Sequence, residues 1–161
     1  ILMRMGIYSD KVHDVKDIPD GATIAIPNDP TNGGRGLLLL QRAGLLKLKD
    51  GVGMKATPKD VVDNPKHLKF KELEAAQLPR SLADVDAAAI TMNYVMSGGL
   101  DVKKQNIFLE PKDEPLAVMI IAARNKDKDK EAYKAFVKAY QSEAVKKFIA
   151  DKYKGTIEPA F

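Results

Sequence analysis

The stretch Thr23-Ile24-Ala25-Ile26-Pro27-Asn28-Asp29-Pro30-Thr31-Asn32-Gly33-Gly34-Arg35, continued by Gly36 and the run Leu37 to Leu40, decides the fold. A short β-branched run broken by two prolines, then a polar Thr-Asn pair, two glycines and a leucine-rich segment, predicts a strand, a tight loop and a helix start. The first N–H groups of a helix have no partner within it, and the macrodipole adds partial positive charge, so such a junction is suited to a small anion. Arg35 is expected within the first turn, where its guanidinium can grip a carboxylate with two hydrogen bonds. Thr31 and Asn32 are expected to cap the helix or to line the ligand side. The competing reading of the same residues is a capped helix with a surface arginine.

Working outward, Met5 to Ser9 reads as a first strand, and Asp17-Ile18-Pro19-Asp20-Gly21 as the turn leading into Thr23. The helix after the glycines is expected to run to about Ala43 and to stop at Gly44; four consecutive leucines leave it no fully polar face, so it should be buried. Thr57-Pro58-Lys59-Asp60 has the form of a helix start, ended by Asn64-Pro65. Phe70 to Leu73 reads as a strand, Leu78 to Val85 as a brief helix, and Ala87 to Ile90 as a buried strand followed by a polar loop, Thr91-Met92-Asn93-Tyr94. Val118 to Ala123 is a continuous apolar run expected to be a strand. Two helices close the chain, the first carrying Tyr133, Phe136, Val137 and Tyr140, the second capped by Ser142 and ended at Gly155. Strands alternating with helices at this spacing imply an α/β fold, a mainly parallel sheet flanked by helices. The ligands of such sheets gather beyond the carboxyl ends of the strands.

The totals fit that class: 161 residues, 45% hydrophobic and 30% charged, are enough for a real core. Twenty-six basic against 22 acidic residues give +4, but lysines and acids alternate, as in Lys126 to Glu131, which reads as a solvated face rather than a nucleic-acid patch. The absence of cysteine excludes disulfides, thiolate metal sites and cysteine nucleophiles. No apolar run approaches the length of a membrane span, and the opening Ile1 to Tyr8 lacks the order of a signal peptide and reads as the middle of a strand, pointing to a truncated chain.

Catalytic chemistry is not indicated. His13 and His67 fall in polar loops with no ligand at metal spacing, Asp84 and Asp86 have nothing nearby to raise a carboxyl pKa, and Ser81 has no base beside it. Gly33-Gly34 is followed by neither Gly-Lys-Ser/Thr nor the three-glycine dinucleotide spacing. No catalytic residue, metal site or cofactor is expected.

The segments Ala25 to Arg35, Leu45 to Gly51, Asn64-Pro65, Leu73 to Leu82 and Ala139-Tyr140-Gln141-Ser142 together closely resemble the NlpA-type, methionine-binding lipoproteins of bacterial ABC importers, in order and spacing from about Met5 to the C-terminus. The resemblance implies a type II periplasmic-binding-protein fold, two α/β lobes closing on an amino acid. It implies a protein of the periplasm or outer cell surface, held to the membrane only through an N-terminal lipid anchor that precedes this chain, and working with an ABC permease and ATPase without chemistry of its own. On that pattern residues 1–8 are a hinge or crossover strand, 9–109 the second α/β lobe, and 110–161 the return strand and C-terminal helices of the first lobe. The first lobe's opening strands would precede Ile1; if they are missing, pairing with another copy as a domain-swapped homodimer is expected.

Carried over by position, the family's ligand contacts fall on Asn28, Thr31, Asn32 and Arg35, with Arg35 on the carboxylate, and on Thr91 and Asn93. Two departures stand out. Members usually read Asn-Thr-Asn-Tyr or Asn-Thr-Thr-Tyr where this chain has Thr91-Met92-Asn93-Tyr94, and Pro-Tyr-x-Asn where it has Pro115-Leu116-Ala117-Val118. Val118 cannot hydrogen-bond an amino-acid head group as that asparagine would, a loss on the order of 1–3 kcal/mol. Either the ligand is less polar at that end, or binding has decayed and the protein persists as a surface interaction scaffold.

Overall fold

A computed structural model describes all 161 residues and resolves them into two compact units, Met5–Pro111 and a second made of Ile1–Arg4 with Lys112–Phe161.

In Met5–Pro111 the elements follow as β1 (Met5–Tyr8), β2 (Thr23–Pro27), α1 (Pro30–Arg42), β3 (Lys47–Leu48), β4 (Val61–Asp63), β5 (Lys69–Leu73), α2 (Leu78–Ser81), β6 (Ala87–Thr91), α3 (Met92–Ser97), α4 (Val102–Gln105) and β7 (Asn106–Leu109). Five strands form one sheet in the order β5-β2-β6-β1-β7. β2 is parallel to β5 and β6, whereas β1 is antiparallel to both β6 and β7. Four strands therefore share a direction and β1 alone runs against them, inserted between β6 and β7. The strands read Met-Gly-Ile-Tyr, Thr-Ile-Ala-Ile-Pro and Ala-Ala-Ala-Ile-Thr because both faces are covered; β1 and β6 are buried at every position.

Helix α1 packs Leu37, Leu39 and Leu40 into the core with Ile7, Ile24, Ile26 and Ala89. It lies unusually close to its neighbours. A Cβ on Gly34 would stand 2.1 Å from the Met54 carbonyl oxygen, and one on Gly36 3.3 Å from the Ala89 side chain. Gly44, at φ +75°, ends the helix as expected.

Three expectations are corrected. Thr57 to Asp60 nucleates only a single 3-10 turn over Pro58–Asp60, because Val61 and Val62 lead straight into β4, which pairs antiparallel with β3. The Asp60 carboxylate accepts from the Thr57 N–H and hydroxyl, closing that turn. Residues 92–94 are not a loop: β6 ends at Thr91 and α3 begins at Met92. The apolar run 118–123 forms no strand. A strand needs a neighbour, and here the only ladder contact is an isolated bridge from Val118 to Leu2.

The second unit carries α5 (Glu131–Tyr140) and α6 (Glu143–Tyr153). The Ser142 hydroxyl accepts from the Val145 N–H at 3.3 Å, and Lys154, at φ +46°, turns the chain out of α6 just before Gly155. Leu2, Ala117, Ile149 and Ile157 are buried, while Ile120 is 82% exposed and Met119 and Ile121 remain open.

Candidate functional site

The β2–α1 junction forms where the sequence places it, with a different cap. Asp29, not Thr31 or Asn32, is the N-cap: its carboxylate accepts from the Asn32 N–H at 2.9 Å and from the Asn32 side-chain amide at 3.1 Å. The Gly33 N–H is taken by the Asp29 carbonyl at 2.8 Å, and Pro30, at the first helical position, has no N–H to offer. The helix start is thus largely occupied by its own chain, and an anion arriving there would meet few backbone donors. Asn28 and Thr31 are exposed and line a cavity of about 290 Å³ with Gly34, Met54, Thr57 and Glu72; Arg35 does not line it.

Arg35 lies in the second turn of α1, not the first, and is 4% exposed. Its Nε donates to Glu110 Oε1 at 2.7 Å and its Nη2 to Oε2 at 2.5 Å, a bidentate fork on a carboxylate that is itself buried. Glu110 Oε2 also accepts the Met5 N–H at 2.6 Å, and the Glu110 N–H donates to the Met5 carbonyl at 3.0 Å. The reading of Arg35 as a surface group is therefore corrected. The desolvation of two charges is offset by a fork geometry plus a third hydrogen bond.

Around this pair the sheet ends converge. Met5 opens β1 opposite Thr91, the last residue of β6, and Glu110 follows the last residue of β7. Thr91 is buried and Asn93, in the first turn of α3, is exposed. Arg35, Glu110, Met5 and Thr91 so occupy the end of the sheet where the parallel strands present their carboxyl termini. Val118 belongs to the other unit, where its side chain is partly exposed. Glu110 was not among the candidate residues. Its only signal in the sequence is an acid placed immediately after the apolar run Ile107-Phe108-Leu109 and before Pro111.

The family model for the NlpA lipoprotein matches residues 1–161, the whole chain. The chain belongs to the NlpA lipoprotein family. This NlpA-family chain is 53% identical over 140 residues to the D-methionine-binding lipoprotein MetQ of Escherichia coli O157:H7, an alignment covering 86% of this chain and 51% of that protein. It therefore spans about half the length of the curated relatives it matches. Among solved structures it matches a nutrient-binding protein from Burkholderia cenocepacia bound to methionine, with a TM-score of 0.92 and 48% identity, over 99% of this chain and 68% of that one. It also matches a periplasmic substrate-binding protein of an ABC transporter from Coxiella burnetii, with a TM-score of 0.90 and 40% identity, over 99% and 66% of the two chains. The α/β fold of the periplasmic binding proteins, expected from the sequence, is the fold of this NlpA-family chain.

Proposed function

We propose that the full-length protein to which these residues belong is the extracytoplasmic solute-binding component of an ABC importer. It binds methionine, or a related amino acid or short peptide, without chemistry and delivers it to a permease and ATPase. The observation that carries this reading is the likeness, over nearly the whole chain at 48% identity, to a protein solved with methionine bound. A lipid anchor ahead of these residues holds it at the periplasmic or outer surface, in keeping with its lipoprotein relatives.

In this reading Met5–Pro111 is one ligand-binding lobe, and Ile1–Arg4 with Lys112–Phe161 is part of the other. Arg35 meets the ligand carboxylate, with its guanidinium held in place by Glu110. Thr91 at the end of β6 and Asn93 in the first turn of α3 offer hydrogen bonds, and Asn28, Thr31 and Asn32 shape the β2–α1 loop. Titration calorimetry of ligand-stripped protein with the methionine isomers tests it. Heats of saturable binding are expected; silence toward every amino acid and short peptide rules out the transport role.

The departures at Thr91 and Val118 favour a second reading, a surface lipoprotein that keeps the binding-protein scaffold for interaction, with ligand binding altered or lost. The same titration separates the two: saturable heats support the first reading, and their absence with every amino acid and short peptide supports the second.

A further inference from the structure

Asn32 is the one asparagine of the chain that glycine follows. Asparagine before glycine is the pair most prone to lose its side-chain amide, because no Cβ on the next residue hinders that residue's main-chain nitrogen from attacking the side chain. Packing holds the glycine in place. Gly33 is buried near the start of α1, and a Cβ there would stand 2.7 Å from the Pro27 carbonyl oxygen. Both groups of the reaction are tied to one residue. The Gly33 N–H donates to the Asp29 carbonyl at 2.8 Å, and the Asn32 side-chain amide donates to both Asp29 carboxylate oxygens at 3.1 Å.

We infer that Asn32-Gly33 is a deamidation site, closed in the folded protein by Asp29 and opened whenever the start of α1 frays. On opening, the Gly33 nitrogen gives up its proton to solvent base and bonds to Asn32 Cγ; the Cγ–Nδ2 bond breaks, and ammonia leaves with a proton from water. Water then adds at either carbonyl of the succinimide ring and leaves aspartate or isoaspartate at position 32. Aspartate sets a carboxylate against Asp29 where an amide donor stood, and isoaspartate adds a methylene to the main chain of the β2–α1 junction. The change needs no enzyme and so marks the age of the protein, at a loop whose Asp29, Thr31 and Gly33 line the cavity of about 290 Å³.

The test follows loss of the Asn32 amide by peptide mass spectrometry while the full-length protein is incubated at mildly alkaline pH. Fraying is fast beside this chemistry, so the rate follows the population of the open form. A cap contributing about 1 kcal/mol then predicts about fivefold faster loss in Asp29→Ala, and a rate within about twofold of wild type in Asp29→Ser, which keeps an acceptor. Folded wild type is expected to react at least about tenfold more slowly than the same protein unfolded in urea. Acceleration under about twofold in Asp29→Ala, or a folded wild type as reactive as the unfolded chain, overturns the inference. Should Asp29→Ala not fold, hydrogen exchange of the Gly33 N–H in wild type decides. Protection of that N–H and protection of the Asn32 amide are expected to agree within about threefold, and a wider disagreement overturns the inference.

Discussion

Arg35 and Glu110, 75 residues apart in the chain, meet as a buried bidentate ion pair at 2.7 and 2.5 Å, joining the second turn of α1 to the residue that follows β7. Removing one partner takes the bidentate fork from the other. Glu110→Ala is expected to destabilise the protein by about 3–5 kcal/mol, read from urea unfolding, because a buried guanidinium loses its bidentate carboxylate. The double change Arg35→Met with Glu110→Leu, which removes both charges, is expected to cost less than either single truncation. A double variant less stable than both singles would contradict this account of the pair.

Gly34 has a different reason to be small. Its missing side chain lets α1 lie against the Met54 carbonyl, and a Cβ there would stand 2.1 Å from that oxygen. Gly34→Ala forces backbone to move and is expected to lower stability by about 1–3 kcal/mol, despite alanine's better helix propensity. Gly21 is a control of the opposite kind: open space surrounds it, and only its φ of +74° opposes a side chain.

The Asp29 cap predicts a smaller effect. Asp29→Ala removes the acceptor for the Asn32 N–H and is expected to cost about 1 kcal/mol, with Asp29→Ser retaining most of it. Thermal unfolding distinguishes the two; equal melting temperatures for wild type and Asp29→Ala would mean the helix start is satisfied in another way.

Asp86 links the sheet to pH. The Thr23 N–H donates to its carboxylate at 2.8 Å and Lys11 pairs with it at 3.1 Å, and these hold its pKa below the ordinary 3.8 against the opposing pull of partial burial. A carboxyl depressed in the folded state contributes stability that is complete above its unfolded pKa and is lost as pH falls through the folded one. Unfolding free energy measured from pH 6 down to about pH 2 is therefore expected to fall less steeply in Asp86→Asn than in wild type below about pH 4. Parallel acid limbs would contradict the assignment.

How far the sequence carries is itself physical. β2 and the end of α1 are legible because the signals there are local: a β-branched run, four leucines, and a glycine at the stop; the start of α1 lies earlier than expected, at Pro30 with Asp29 as its cap. Helices α5 and α6 are legible from 3.6-residue spacing and a serine cap for the same reason. Residues 118–123 carry a strand's composition without its structure, because strandedness belongs to a pair of segments and not to one. The partner of Arg35 was hidden for a related reason. Nothing near residue 35 names an acid at residue 110; only the sheet order, which puts β1 between β6 and β7, brings Glu110 and Met5 to the end of the strand that Thr91 closes.

The central claim is that a guanidinium fixed within this lobe holds a small carboxylate ligand. Its most direct measurement is calorimetric titration of methionine into ligand-stripped full-length protein and into Arg35→Lys, which keeps the positive charge and loses the two-pronged fork. Saturable binding by the wild type, weakened tenfold or more in the variant at comparable thermal stability, is the predicted result. Equal affinity in the two proteins, or no binding by the wild type, would contradict it.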